Sequence, residues 1–168
     1  MNDIQNYVHY RIFNNLNQEQ IMRFENVIEH RAFACEEVIF AEGEVGDSLY
    51  LLMDGEVEIN QALTLQLSKN DYDTREKSII NLSSEIHPVF GEMSLLGTDD
   101  KRTATVKAIS DCKMGIIMKK DLFQICESDP EIGFTIMKNV ASIVTDNLTN
   151  ANKNVLKLTT AFSLILEK

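Results

Sequence analysis

At 168 residues, 44% hydrophobic and 25% charged, the chain has the length of one domain with a packed core and is too apolar for intrinsic disorder. Its 26 acidic residues against 16 basic ones, a net charge of −10, work against binding to a polyanion such as nucleic acid. The longest apolar stretches, near Val38 to Leu52 and Leu158 to Leu166, fall short of the roughly 20 residues that a membrane-spanning helix requires.

The opening MNDIQNYVHYRIF has no basic region followed by an apolar run, so no secretory signal is read and a cytoplasmic location is expected. Cys35, Cys112 and Cys126 are odd in number and widely spaced, which fits reduced core residues better than a disulfide framework or a metal knuckle. Asn17 and Gln20 stand as N-cap and capping-box partner ahead of Ile21, Phe24, Val27 and Ile28, which predicts a short amphipathic helix running to about His30.

From Ala32 the period changes to alternation. Strands are expected at Glu37 to Phe40, Ser48 to Met53, Val57 to Leu67, Ser78 to Leu82, Thr103 to Ala108 and Lys113 to Met118. The breaks carry turn residues: Gly43, Gly46-Asp47, Asp54-Gly55, Asn70-Asp71 and Ser110-Asp111. The polar stretch from Ser68 to Lys77 reads as a solvated loop. No helix-length segment separates successive strands, so the pattern favours a sandwich or jelly-roll barrel over a parallel sheet. Gly91 to Gly97 is the exception, a helical turn or two held between glycines. After Met118 a short helix is expected at Asp121 to Cys126. Asp129-Pro130 then opens a long helix reaching about Glu167, roughly 55 Å at 1.5 Å per residue. A jelly roll of this size cannot cover that length, so the far end needs another partner.

Two blocks in this order resemble the cyclic-nucleotide-binding domain family, in its catabolite-activator-like form. The first is Glu42-Gly43-Glu44-Val45-Gly46-Asp47-Ser48-Leu49-Tyr50-Leu51-Leu52 with Asp54-Gly55-Glu56-Val57-Glu58-Ile59. The second is Phe90-Gly91-Glu92-Met93-Ser94-Leu95-Leu96 with Arg102-Thr103-Ala104-Thr105-Val106, which is similar to the family's phosphate-binding cassette. The resemblance covers about Leu16 to Val144. It implies an α+β, mostly β architecture: a jelly-roll (double-stranded β-helix) barrel with N-terminal helices and a long C-terminal helix. The expected units are 1–30 for the N-terminal helical segment, 31–128 for the barrel and 129–168 for a dimerisation helix. Lys101 stands where the family often has Pro, and Asp99-Asp100 adds negative charge to the cassette loop.

A cyclic phosphate carries one negative charge, so it needs a cation and fixed donors. Unpaired amides in the first turn after Gly91, those of Met93 and Ser94 included, supply donors, and Gly91 lets the backbone come close. Arg102 can give charge-assisted, bidentate bonds. The resemblance implies that Glu92 accepts from the ribose 2′-hydroxyl and that Thr103 reaches the phosphate and, in cGMP-selective members, the guanine amino group. Asn147 falls about where the family's helix faces the base; it is equally placed to fix a helical register. The bland alternatives are an ion pair between Arg102 and Glu92, an idle Ser94 hydroxyl, and plain turn roles for Gly46, Asp47 and Gly55. Lys119-Lys120 reads as an exposed pair opening a helix, and Arg102 is expected to serve ligand without being needed for the fold.

His9, His30 and His87 lack metal-ligand spacing, so no metal is expected, and no nucleophile elbow or Walker loop points to catalysis. The expectation is a sensor for cAMP or cGMP, without a DNA-binding domain and with an unidentified downstream protein partner. Its long helix is expected to pair in a parallel homodimer through Met137, Val140, Val144, Asn147, Ala151, Asn154, Leu158, Ala161 and Ile165. The alternative is a degenerate scaffold of the same fold that binds no nucleotide.

Overall fold

The computed structural model describes residues 4–62, 65–68, 71–73, 76–97 and 99–166. Short helices α1 (Ile4–Tyr7) and α2 (Gln18–Glu25) come first, with a 3-10 turn (Arg11–Phe13) between them. Asn17 caps α2 as expected: its side chain accepts from the Gln20 amide while the Gln20 side chain accepts from the Asn17 amide, both at 2.9 Å. The strands follow as β1 (Ile28–Phe33), β2 (Val38–Phe40), β3 (Ser48–Asp54), β4 (Glu56–Ala62), β5 (Leu65–Ser68), β6 (Asp71–Asp73), β7 (Glu76–Ser83) and β8 (Val89–Phe90). Then come α3 (Met93–Leu96), β9 (Thr105–Ala108), β10 (Cys112–Met118), α4 (Lys119–Ser128) and α5 (Pro130–Leu166).

Among the described residues, two four-stranded antiparallel sheets, ordered β1-β10-β3-β8 and β2-β9-β4-β7, make the jelly roll, with β5 and β6 paired as a hairpin. β3 shows how the layers are built. Its side chains alternate, so Tyr50 and Leu52 enter the core between the sheets while Leu49 and Leu51 enter a second core under the helices. Because both faces are covered, the strand reads as a continuous apolar run rather than as polar alternation. β10 is built likewise, with Met114 and Ile116 between the sheets and Ile117 under the helices.

Several expectations need correction. α2 stops at Glu25, and Ile28 begins β1, paired antiparallel with Ile117 of β10. The strand escaped notice because only its two ends are buried, which leaves no alternation to read. β8 is a two-residue strand, too short to leave a periodic signal. The run from Val57 to Leu67 divides into β4 and β5, and the stretch read as a loop at 68–77 contains β6 and the start of β7, since a hairpin ladder needs backbone pairing but no apolar face. Cys112 and Cys126 are buried, but Cys35 is exposed; all three are free.

Asp129 caps α5, its carboxylate accepting from the amides of Glu131 and Ile132 at 3.2 and 3.3 Å. Ile132, Ile136, Val140 and Ile143 pack into the helical core, and Met137 and Val144 pack against it. The proximal members of the expected seam are therefore occupied within the chain. Beyond Asn147 the apolar side chains are bare: Leu148, Val155, Leu158, Phe162 and Ile165 are 59–70% exposed. No helix among the described residues is long and apolar enough to cross a membrane.

Candidate ligand-binding site

The site forms where the turn before β3 meets the loop before β9. The Gly46 amide donates to the Asp100 carbonyl at 2.6 Å, the Arg102 amide to Glu44 at 2.8 Å and the Gly43 amide to Arg102 at 2.9 Å. Lys119 ion-pairs with Asp100, and its amide donates to the Asp47 carbonyl at 2.7 Å. Lys119 opens α4 as expected, but it ties that helix to both loops instead of standing free in solvent. It also neutralises one of the two acidic charges in the cassette loop.

These bonds direct Arg102 inward, where it is 4% exposed. Its Nη1 donates to the Ser94 hydroxyl at 2.8 Å and to the Gly91 carbonyl at 3.2 Å; its Nη2 donates to the carbonyl and hydroxyl of Ser48, both at 2.9 Å. The guanidinium lies over the Phe40 ring, 4.2 Å from its centroid, and 5.5 Å from that of Tyr50. Burial lowers the Arg102 pKa; the field of Tyr50, Asp47 and Glu44 opposes that shift. Nε, also buried, has no acceptor.

Gly91 follows β8 with φ +85°, and a side chain there would meet Arg102 Nη1 at 2.8 Å. Gly46, expected to be a turn residue and no more, leaves room for the site as well: an added Cβ would come within 2.2 Å of the Ser94 hydroxyl. Ser94 is 2% exposed. Far from idle, its hydroxyl accepts from Arg102 and donates to Gly91 at 3.1 Å. Ser48, Phe40 and Tyr50 went unremarked as site residues because their roles come from strand pairing.

Glu92 sits at the start of α3, 5% exposed. No ion pair joins it to Arg102, which spends its Nη donors elsewhere. Instead Glu92 Oε1 accepts from Asn147 Nδ2 of α5 at 3.2 Å. Burial pushes the Glu92 carboxyl above its ordinary range, against the opposing pull of its own amide, the Asn147 amide and the Arg102 charge. Met93 is 54% exposed, and the exposed Thr103 donates its hydroxyl to the Met93 sulfur at 3.6 Å, a weak acceptor that a ligand can displace. Gly91, Glu92, Met93, Ser94, Arg102, Thr103 and Asn147 therefore lie in one connected cluster. His9 and His87 stack with ring centroids 5.2 Å apart, and no group of three metal-ligating side chains occurs among the described residues.

The cluster can receive an anion with a polar edge. It offers a buried cation with one unsatisfied donor, first-turn amides without intrahelical acceptors, and a carboxylate able to accept a hydrogen bond from a hydroxyl.

Comparison with known proteins agrees with this geometry. The chain is similar to the cGMP-dependent protein kinase, isozyme 1, of Drosophila melanogaster, 30% identical over 110 residues, which covers 66% of this chain and 13% of the kinase. It is 28% identical over 117 residues to the cAMP-dependent protein kinase regulatory subunit of Dictyostelium discoideum, covering 68% of this chain and 33% of that subunit. The match thus spans a third or less of either relative. The fold is that of the Thermus thermophilus catabolite activator protein, at a TM-score of 0.71 and 23% identity, over 89% of this chain and 63% of that one. The sequence profile of the cyclic nucleotide-binding domain matches residues 30–129, and the chain belongs to that family.

Proposed function

We propose that the chain is a sensor for a purine cyclic nucleotide, cAMP or cGMP, in which the cassette holds phosphate and ribose and α5 reports occupancy. The observation that carries this reading is the buried Arg102 guanidinium, with its unpaired Nε, together with the buried Glu92 carboxylate, with which it makes no ion pair. The phosphate meets Arg102 and the amides of Met93 and Ser94; the ribose hydroxyl meets Glu92. The names of the kinase relatives attach one to cGMP and one to cAMP, ligands that share both groups. Thr103 reads the base, and Asn147 enters the site from α5 on the ribose side, through Glu92. Ligand energy reaches α5 only insofar as the ligand binds its two placements unequally.

The reading includes no reaction and no metal, and it places the protein in the cytoplasm. It keeps the N-terminal segment, barrel and long helix as units, near 1–30, 31–128 and 129–168. With the proximal seam occupied internally, a second copy would pair in parallel along Ala151, Asn154, Leu158, Ala161 and Ile165, a stretch about 28 Å long from residue 148 to 166 at 1.5 Å per residue. The downstream protein partner would read that helix or dimer.

Calorimetric titration with cAMP and cGMP tests the reading. Saturable 1:1 heat per chain in wild type, lost in Arg102→Lys, is the expected result, because the ammonium keeps the charge but not the planar fork. No heat with either ligand would leave the scaffold alternative standing. Sedimentation showing only monomer at micromolar concentration, with and without ligand, would remove the dimer.

A further inference from the structure

A guanidinium carries five N–H donors. In Arg102 the two Nη atoms make four hydrogen bonds, as many as they have hydrogens. Nη1 donates to the Ser94 hydroxyl at 2.8 Å and the Gly91 carbonyl at 3.2 Å, and Nη2 to the carbonyl and hydroxyl of Ser48 at 2.9 Å. The fifth donor, Nε, is buried without an acceptor. The protein has therefore already engaged the cation that a phosphate needs, and a phosphate that takes two donors from it must displace one of these four acceptors. The shortest of the four bonds goes to Ser94. Its hydroxyl bridges, accepting from Nη1 and donating to the Gly91 carbonyl at 3.1 Å. The chain makes room for that hydroxyl, since a Cβ on residue 46 would stand 2.2 Å from it. Ser94 also carries one of the first-turn amides assigned to the phosphate, so the donor its hydroxyl holds lies beside the place the phosphate takes. Ser48 stands in β3, outside the cassette, and its two bonds hold the other nitrogen.

We propose that Ser94 sets the affinity of the site: its hydroxyl occupies Nη1 in the free protein as a stand-in for a phosphate oxygen, and a bound nucleotide competes with it for that donor. The proposal rests on the assignment of Arg102 and the cassette amides to the phosphate, and it names the side chain that tunes that contact. The physics is a difference between two states. In the free protein the hydroxyl keeps a buried N–H from standing unpaired, which stabilises that state. With ligand bound, an anionic oxygen makes a charge-assisted bond in its place, and the hydroxyl keeps the Gly91 carbonyl as its acceptor. Only the free state depends on the hydroxyl for that donor. Removing it therefore raises the free state, and affinity rises as ligand-free stability falls. The bond from Oγ to Gly91 is lost in both states and cancels. A hydroxyl that only braced the loop would do the opposite, because its loss would loosen the cassette and weaken ligand.

The test compares wild type with Ser94→Ala and Ser94→Cys. Cysteine nearly keeps the volume while its sulfur is a weak acceptor, so it controls for a cavity. The ligand-free thermal midpoint of Ser94→Ala should fall by about 1–6 °C. Calorimetric titration should show cAMP and cGMP bound about three- to tenfold more tightly by both variants. Exchange of the Arg102 Nη hydrogens with solvent, followed by heteronuclear NMR on arginine-labelled protein, should be faster in both ligand-free variants than in wild type. Unchanged or weaker binding by Ser94→Cys, beside a wild type that binds, would overturn the proposal and leave the sensor reading standing. Unchanged Nη exchange would overturn it independently of any nucleotide. Variants that bind where wild type does not would support it in its strongest form. No binding by wild type or by either variant would overturn the sensor reading and the competition together.

Discussion

Truncating Arg102 to alanine should cost the protein stability as well as ligand, against the sequence-based expectation that this residue serves ligand alone. The guanidinium ties Ser48, at the start of β3, to Gly91 and Ser94 of the cassette through four hydrogen bonds of 2.8–3.2 Å. After truncation the Gly91 carbonyl keeps the Ser94 hydroxyl and the two serine hydroxyls can rotate, but the buried Ser48 carbonyl loses its side-chain donor. An acceptor left unsatisfied costs about 1–3 kcal/mol, and the lost stacking on Phe40 and Tyr50 adds about 1 kcal/mol or more. Relief of the desolvation that lowers the Arg102 pKa offsets part of this. The two losses total about 2–4 kcal/mol before that offset, and the net expectation is a loss of about 1–3 kcal/mol, or a fall in Tm of about 2–12 °C at roughly 2–4 °C per kcal/mol for a chain of this size. Urea unfolding followed by far-ultraviolet circular dichroism measures it directly, with an unchanged m-value as the check that the unfolded reference is the same. A variant within about 0.5 kcal/mol of wild type would refute the reasoning and reduce Arg102 to a ligand group that the fold does not use.

Glu92→Gln should be more stable than wild type at neutral pH. A carboxyl raised above its unfolded value of 4.5 stabilises the fold fully below that value and loses the contribution as pH rises through the raised folded value, so the wild-type melting temperature should fall with pH over that window and the variant's should not; parallel profiles would contradict the burial argument. Gly91→Ala should lose about 2 kcal/mol or more, since it places a side chain at φ +85° and against Arg102, and should weaken nucleotide binding; a wild-type melt would contradict the strain. Thr103→Ala should weaken cGMP more than cAMP in side-by-side titrations, and equal losses would restrict Thr103 to the phosphate. At high pH, Tyr10→Phe should unfold less steeply than wild type. The buried Tyr10 phenol, donating to the Leu52 carbonyl at 2.7 Å, is pushed up to about 12, so its contribution is lost as pH rises from 10 through that value; equal alkaline midpoints would count against it.

The features legible from neighbouring residues were local in cause. The Asn17–Gln20 capping box and the Asp129 cap are bonds between residues two or three apart, and the short apolar runs of β3 and β10 are bounded by turn residues next to them in the chain. The glycine-bounded turn at the cassette and the length of α5 are likewise written in adjacent positions. The resemblance in the two blocks located the ligand cluster for the same reason, since its motifs are contiguous. β1 was hidden because an edge strand that exposes its middle carries no local signature. The Arg102 bonds to Ser48 span 54 residues and the Glu92–Asn147 bond spans 55. Such partners are chosen by sheet register and by where α5 lands on the barrel, and those depend on how two separate cores close around β3. That is why the Ser94 hydroxyl, the room left at Gly46 and the partner of Asn147 emerged only once the layers were assembled.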